Sequence, residues 1–344
     1  TAYSVPKYHF NYKAACCFAS RYYLFMQDWG NAIKYATMAL TSNPSSLLRD
    51  YSAIAALPKG TSRHQEYVNS ASTANFLLQA ATSNSGLLFD WYSTAGRYSH
   101  GKLQGIYETV QPKKGGPWGS SVTFKAPHAV LASSGKYVLP RTWRVFQYTD
   151  PVAGTGFNKA ISVLFTSEEA LLNRAEAYIM KMNEDPTALD KALEDINLYA
   201  ANLFSAGFKS MTEASIIKWA TETYPDYSEL YVGKTSVSSP QTLNPKKKLH
   251  AAPYNTLEEG GPQESMLQAL IFMRRYQFLH EGMRWFDTRR FGITVYRYLL
   301  DEDAETVVQI TDQISDENGT ADPRRALQLP ADVIAAGLTP NPRK

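Results

Sequence analysis

The chain has 344 residues, of which 44% are hydrophobic and 19% are charged, a composition that excludes a wholly disordered protein and allows a substantial core. The formal net charge of +3 is too small to indicate a nucleic-acid-binding surface. The longest stretch without a charged residue, Tyr67–Phe89, contains polar residues such as Asn69, Ser70 and Thr73, so it is not predicted to span a membrane. The length fits two or so domains, or one large helical domain.

The aromatic residues and the cysteines bear on two further predictions, whether the protein has a ligand-binding surface and whether it has a disulfide. The chain has 22 Tyr and 6 Trp, and these side chains combine a flat apolar ring with a polar tip. Such a surplus favours a ligand-binding surface, although a large helical core would use the same residues. Cys16 and Cys17 are adjacent, so they are predicted to be small core residues and not a disulfide.

Residues 8–42 carry the pattern of a helical hairpin. A helix is predicted over Asn11–Met26, which is rich in Ala and aromatic residues and contains no Gly or Pro. Asp28-Trp29-Gly30-Asn31 is predicted to be a turn, and a second helix is predicted from Ala32 to about Thr41.

A second hairpin is predicted over residues 166–205. Thr166-Ser167-Glu168-Glu169 is a capping-box signal for a helix that runs to Met182, and Thr187–Phe204 is predicted to be its partner. Both hairpins place alanines four residues apart, which lets two helices approach closely as in tetratricopeptide repeats; these pairs are Ala32 with Ala36 and Ala188 with Ala192. About 155 positions separate the two copies, so they are not a tandem array.

Residues 84–165 are predicted to be a loop-rich insert between the hairpins. The insert holds half of the 20 glycines in the chain, it is locally basic, and no helical period persists through it. Short strands are predicted at Val122–Lys125 and Lys136–Leu139. A long structured loop on a rigid scaffold is where binding sites commonly lie.

The C-terminal part, residues 265–344, is predicted to contain a helix over Ser265–Arg290 that is broken at Gly282, followed by a tail. A shorter helix is predicted over Thr212–Thr223. Residues Asp301–Asp322 contain eight acidic residues and no Lys or Arg, and they are predicted to form a solvated loop. A bound calcium ion is the alternative for that loop, but the alternation of an EF-hand is missing; no other cofactor is predicted.

No pattern in the sequence persuasively indicates catalysis. There is no nucleophile elbow, no phosphate-binding loop and no His-Glu-x-x-His, and the six histidines lack metal-ligand spacing. Glu281 and Asp287 are close in sequence, but they lie among arginines that include Arg284 and Arg290. We therefore predict that these carboxylates form structural ion pairs.

Four stretches of the chain, in order, resemble the SusD/RagB family. Arg274-Arg275…Phe278…Glu281-Gly282-Met283-Arg284-Trp285-Phe286-Asp287…Arg290-Phe291-Gly292 looks like its C-terminal signature, and Ser167–Tyr178 is similar to its "SE…LLRAEAY" helix. Tyr22–Ala32 looks like its earlier tetratricopeptide hairpin, and Leu327–Pro330 with Asn341-Pro342 is similar to its closing "IP…NP".

The resemblance implies a mainly α, SusD-like fold over residues 1–344 as a single unit, with tetratricopeptide-like hairpins and an insert that carries short strands. It implies an outer-membrane lipoprotein of Bacteroidetes that lies at the cell surface and captures nutrients, usually glycans, for a SusC-like TonB-dependent transporter. Such proteins are not enzymes. The family's N-terminal region, with its lipid-bearing cysteine, is not found in this sequence, and membrane contact is expected only through that anchor.

Sugar rings offer an apolar C–H face to aromatic side chains and a polar rim to hydrogen-bonding groups. The insert supplies candidates for both, and the predicted ligand-binding residues are Trp91, Tyr92, Tyr98, Trp118, Arg97 and Lys102. Replacement of Trp91 or Trp118 by Ala is expected to weaken binding without unfolding the protein.

The sequence is also compatible with two other functions. A helical-repeat protein that binds peptides or proteins would explain the hairpins but not the aromatic insert. An α-helical glycoside hydrolase would need two carboxylates roughly 5–10 Å apart across a cleft.

Overall fold

The computed structural model describes most of the chain, and more of the described residues lie in helices than in strands. The predicted mainly α fold class is therefore confirmed. The described residues are 3–58, 61–85, 115–125, 130–131, 137–138, 141–223, 247–300, 302, 307–316 and 321–343.

The helices and strands alternate in blocks along the chain. In chain order, the helices are α1 (Tyr12–Phe25), α2 (Trp29–Leu40), α3 (Tyr51–Ala56), α4 (Thr61–Tyr67), α5 (Ser167–Lys181), α6 (Ala188–Leu203), α7 (Glu213–Lys218), α8 (Pro262–Gln277), α9 (Met283–Phe291) and α10 (Ala331–Ala335). The strands are β1 (Asn75–Thr82), β2 (Thr123–Phe124), β3 (Val130–Leu131), β4 (Tyr137–Val138), β5 (Trp143–Asp150), β6 (Thr155–Thr166), β7 (Phe204–Ala206), β8 (Val295–Leu300) and β9 (Val307–Ile314).

Side-chain caps fix where the helices of the first pair begin. The amide of Ala14 donates to Oδ1 of Asn11 over 3.1 Å at the start of α1. The amide of Asn31 donates to Oδ1 of Asp28 over 3.0 Å, so α2 begins at Trp29 and not at Ala32. The predicted turn is therefore wrong from Trp29 onward, because a capping aspartate satisfies the free amides of a first helical turn.

The second pair, α5 and α6, packs against the first through small residues. Thr166 caps α5 by accepting a hydrogen bond from the amide of Glu169 over 3.0 Å. The Glu169 carboxylate does not complete the capping box; it binds Arg21 of α1 instead, over 2.6 and 2.7 Å. Ala32 of α2 and Ala177 of α5 share a cluster and are fully buried, which is how alanine lets two helices approach closely.

An antiparallel sheet in the order β1-β6-β5 leads into α5. Leu78 of β1 lies opposite Val163 of β6, and Trp143 of β5 lies opposite Ile161. β1 falls in the uncharged stretch for which no element is predicted from the sequence, because its first four residues are all buried and its apolar residues do not alternate with polar ones.

The short strands predicted in the insert are present as β2 and β4, which pair with β7 and β3 respectively. The predicted acidic loop over Asp301–Asp322 is wrong in part, since Val307–Ile314 forms β9 and pairs with β8. Apolar residues within 307–314 supply the strand that the acidic residues around them obscured.

The predicted break at Gly282 is confirmed. Gly282 has φ of +78°, a left-handed conformation that glycine adopts without a steric penalty. The chain turns there between α8 and α9 and places the two helices against each other.

A buried ionic network joins α5, α8 and α9. Arg274 of α8 donates to the Asp287 carboxylate of α9 over 3.0 to 3.2 Å and to Oδ1 of Asn173 in α5 over 2.9 Å. Arg290 of α9 binds Glu176 of α5, with one contact of 2.9 Å, and Asp287 over 3.3 Å. The two guanidinium groups and two carboxylates balance, so no net charge is buried by these four residues.

The network lowers the pKa of the Asp287 carboxyl group. Burial alone would raise the pKa of Asp287, but the charges of Arg274 and Arg290 outweigh it and hold the pKa below its ordinary value of 3.8. A carboxyl group of this kind stabilises the fold above its ordinary pKa, and that contribution is lost as the pH falls through the lower, folded-state pKa.

Asp287→Asn is expected to lower the free energy of unfolding at pH 7 by about 3–5 kcal/mol, because it leaves two buried guanidinium groups without a full counter-charge. The difference from the wild type should shrink as the pH falls from 3.8 through the lower, folded-state pKa, because the wild-type carboxyl group becomes protonated first in the unfolded chain and then in the folded protein. Denaturant unfolding at several pH values measures both effects.

The matched control is Glu194→Gln at an exposed position of α6, which should change the unfolding free energy by less than about 0.5 kcal/mol. A loss for Asp287→Asn as small as that of the control would contradict the role assigned to the network.

Candidate ligand-binding cavity

Of the six side chains predicted to bind ligand, one lies in the described part of the chain. That side chain is Trp118. The other five, Trp91, Tyr92, Arg97, Tyr98 and Lys102, lie outside the described residues.

Trp118 lies in a tight turn that requires glycine. The amide of Gly119 donates to the carbonyl of Gly116 over 2.9 Å, and Pro117 occupies the second position of the turn, where its fixed φ is favourable. Gly119 has φ of +90°. A Cβ atom on Gly116 would lie 2.7 Å from the Trp118 ring and 2.8 Å from the Phe272 ring, so no larger residue fits there.

The turn directs the Trp118 indole into the core. The ring centroid lies 5.3 to 6.4 Å from four other aromatic rings, which come from β2, β7 and α8: Phe124, Phe204, Phe272 and Tyr276. Trp118 is 6% exposed. Its flat face is therefore occupied by protein, and only a small part of the ring faces solvent.

Trp219 approaches the same region from the π-helical turn that follows α7. A capping box between Thr212 and Ser215 begins this helix, and a π-helical turn, Trp219–Thr223, follows it. The Trp219 ring lies 5.7 Å from Phe272 at an interplanar angle of 78°. Phe272 is thus in contact with both indoles, and Trp219 is also 6% exposed.

The exposed parts of the two indoles line one surface cavity of about 360 Å³, which we call the Trp118–Trp219 cavity. Its described lining residues come from the turn, from the loop before α7, from α7 itself and from the start of the π-helical turn after it: Gly116, Pro117, Trp118, Gly119, Ser120, Lys209, Ser210, Met211, Ser215, Lys218 and Trp219. Trp118 is predicted from the sequence to bind ligand, but the lining residues between Lys209 and Trp219 are not, because nothing in the sequence links positions about 100 residues apart.

The loop that carries Lys209 and Ser210 is fixed at its end by Asn197 of α6. The Asn197 side chain donates to the carbonyl of Met211 over 2.9 Å and accepts from the Met211 amide over 2.7 Å. Met211 is buried. The cavity wall is therefore held by hydrogen bonds as well as by ring packing, a preorganisation that lowers the cost of binding.

Polar groups at the cavity differ in what they can offer a ligand. The Ser215 hydroxyl is engaged with Thr212, from which it accepts a hydrogen bond and to which it donates one, each over 2.9 Å. Ser120 and Ser210 are exposed, and so are Lys209 and Lys218. Hydroxyl groups can both donate and accept, whereas ammonium groups only donate.

A larger cavity, of about 930 Å³, lies beside the β8–β9 ribbon. Its central charged groups bind one another: Arg324 pairs with Asp312 over 2.9 Å and with Asp322 over 2.7 Å. The hydrogen bonds from Arg324 hold the pKa of Asp322 at about 2. Because these three charges are already matched, a ligand that bound any of them would have to compete with an existing ion pair.

The predicted structural role of Glu281 and Asp287 agrees with their contacts. Asp287 belongs to the buried ionic network, while Glu281 accepts a hydrogen bond from Tyr67 and lies 3.7 Å from Arg141. Burial raises the pKa of Glu281 although the charge of Arg141 opposes the shift. Each carboxylate thus has its own guanidinium partner.

Neither a metal site nor a membrane span is found in the part of the chain that the structure describes. No group of three His, Cys, Asp or Glu side chains in that part is placed to hold a metal ion. No described helix is long and apolar enough to cross a bilayer. Three acidic residues of the predicted acidic loop, Asp312, Asp316 and Asp322, bind arginine side chains.

The burial of Trp118 changes the expectation for its replacement. We expect Trp118→Ala to lower the free energy of unfolding by about 3–5 kcal/mol, because it empties a space enclosed by four aromatic rings. Trp118→Phe should cost less, since it keeps one ring in that space. Denaturant unfolding of the three proteins measures the order.

Tyr148→Ala is the control for this prediction, because Tyr148 is 57% exposed and its loss should cost less than about 1 kcal/mol. If Trp118→Ala were no more destabilising than Tyr148→Ala, the core position of the indole would be wrong.

Comparison with known proteins finds similarity to solved structures. No family model and no curated protein matches the chain. A SusD superfamily protein from Bacteroides vulgatus is 15% identical with a TM-score of 0.45, and the match covers 96% of this chain and 59% of that one. A SusD superfamily protein from Bacteroides thetaiotaomicron is also 15% identical with a TM-score of 0.45, covering 97% and 61%.

A SusD-like protein from Bacteroides fragilis is 15% identical with a TM-score of 0.44, and the match covers 99% of this chain and 67% of that one. The chain thus spans about three fifths of the length of the first structures that it matches. These solved proteins bear the name of the family that the four sequence motifs resemble.

Proposed function

We propose that this protein binds saccharides without converting them, and that the Trp118–Trp219 cavity is a site of binding. The observation that carries the proposal is that two indole rings line one open cavity together with exposed hydroxyl and ammonium groups. This is the combination that a sugar requires, an apolar wall beside hydrogen-bonding groups.

The size and depth of the cavity fit a weakly bound small ligand. A volume of about 360 Å³ lies near the lower end of the range for small-molecule sites. Because both indoles are mostly buried, a sugar would contact their exposed edges and not their full faces. We therefore expect affinities of roughly micromolar to millimolar, or about 4–8 kcal/mol.

The proposal also includes the other residues of the insert that are predicted from the sequence to bind ligand. Trp91, Tyr92 and Tyr98 would bind further sugar units, with Arg97 and Lys102 binding hydroxyl groups. These five residues precede the Trp118 turn in the same glycine-rich, basic segment of the sequence.

The proposal also includes the setting that the sequence resemblance implies: an outer-membrane lipoprotein at the cell surface that delivers glycans to a SusC-like TonB-dependent transporter. A protein partner is supported by exposed rings on α1. Phe18, Tyr22 and Phe25 are 45–51% exposed, and the Phe25 ring lies 6.4 Å from that of Phe286 on α9. Exposed apolar patches of this kind are typical of protein-interaction surfaces. The same patch would also suit a peptide or protein ligand, and peptide or protein binding is therefore the alternative function.

Saccharide binding at the cavity is tested by filling it. Ser210→Phe places a large ring at an exposed lining position, and it is expected to weaken binding of oligosaccharides by at least about tenfold, or about 1.4 kcal/mol. Glycan-array screening of the wild type identifies the oligosaccharides, and titration calorimetry then measures the affinities of both proteins.

Ser42→Phe, at an exposed position after α2, adds the same ring away from the cavity and should leave affinity unchanged. Equal affinity of Ser210→Phe and the wild type would contradict binding at this cavity.

The absence of turnover is the second part of the proposed function. Purified protein incubated with the oligosaccharides that it binds is expected to release no reducing sugar over time, because Glu281 and Asp287 are each committed to a guanidinium group. Sustained product release, retained after repeated purification, would instead favour the glycoside hydrolase alternative.

A further inference from the structure

The charges at the Trp118–Trp219 cavity point to a particular class of sugar. Among the described residues that line it, Lys209 and Lys218 are charged and none is acidic. A ligand in the cavity would therefore meet positive charge on the side of the loop before α7 and on the side of α7 itself.

The partners of these lysines leave them able to bind a ligand. The Lys218 ammonium group lies 3.8 Å from the Glu222 carboxylate, and both side chains are about two-thirds exposed or more. An exposed pair of this kind is worth little, so an anionic ligand can compete for the ammonium group. Lys209 is exposed on the loop whose end Asn197 fixes.

The sequence around the Trp118 turn has the same sign of charge. Lys113 and Lys114 immediately precede Gly115 in the sequence. Local positive charge attracts anions and raises the rate at which they are captured.

We propose that the Trp118–Trp219 cavity prefers saccharides that carry a negative charge, either the carboxylate of a uronic acid or a sulfate ester. This inference rests on the proposed function and specifies its ligand class. The indole edges contact the apolar part of the sugar, and Lys209 and Lys218 bind its anionic group. Neutral sugars of the same size bind more weakly, because they lack the group that the ammonium ions attract.

The test uses pairs of probes that differ in charge alone or nearly so. Trigalacturonate is compared with its fully methyl-esterified form, and 6-sulfated N-acetylglucosamine with N-acetylglucosamine, so that the two arms distinguish a carboxylate from a sulfate. Affinities are measured by titration calorimetry and by tryptophan fluorescence at low ionic strength and again at about 0.5 M salt. The anionic member of at least one pair is expected to bind about threefold to tenfold more tightly at low salt, and the difference should shrink at high salt.

Variants assign the preference to the cavity. Lys209→Gln and Lys218→Gln are each expected to weaken binding of the anionic probe by about twofold to fivefold and to weaken binding of the neutral probe less, because Gln keeps N–H donors for a sugar hydroxyl. The double variant should bind both probes alike. Lys34→Gln, at an exposed position of α2 outside the cavity, is the matched control and should keep the preference.

The outcomes separate this inference from the proposed function. Equal binding of charged and neutral probes by the wild type would overturn the charge preference and leave saccharide binding intact. A preference that survives in the double variant would overturn its assignment to the two lysines. Failure of both probe pairs, and of every oligosaccharide on an array, would overturn the proposed function and the charge preference with it.

Discussion

Two buried guanidinium groups and two buried carboxylates hold the C-terminal helices on the second helical pair. Arg274, Arg290, Glu176 and Asp287 come from three helices and are each almost wholly enclosed. Removing ions from water is costly, and the attraction between them compensates for this only when the geometry is good and every partner is present. The network therefore specifies one arrangement of α5, α8 and α9, since a shift of any helix would leave a buried charge unmatched.

The position of α8 in turn fixes the candidate site. Phe272 lies two residues before Arg274 on this helix, and its ring touches both Trp118 and Trp219. The ionic network and the aromatic cluster are thus adjacent parts of one core. The rigidity of the cavity wall follows from that continuity, because neither indole can move without disturbing a helix that the buried charges hold in place.

The cavity combines rings that are committed to the core with charges and hydroxyl groups that are exposed. Trp118 and Trp219 give the cavity its shape and an apolar edge, whereas Lys209, Lys218 and Ser210 present groups that a ligand can bind. A site with a packed base and an exposed polar rim discriminates mainly through the rim, because the base changes little on binding. The proposed preference for anionic sugars is a consequence of this division.

The sequence by itself determined the helical pairs, the break at Gly282 and the pairing of Asp287 with Arg290 three residues later. Capping residues, alanine spacing, a left-handed glycine and charges three residues apart all act over a few neighbouring positions. Tertiary structure decided which way Trp118 faces. Its glycine-rich turn permits either an exposed or a buried indole, and the four rings that enclose it come from segments near residues 124, 204 and 272–276. Contacts between such distant positions leave no local pattern, and for the same reason the cavity that joins Trp118 to Lys209 and Trp219 emerges only once the chain is folded.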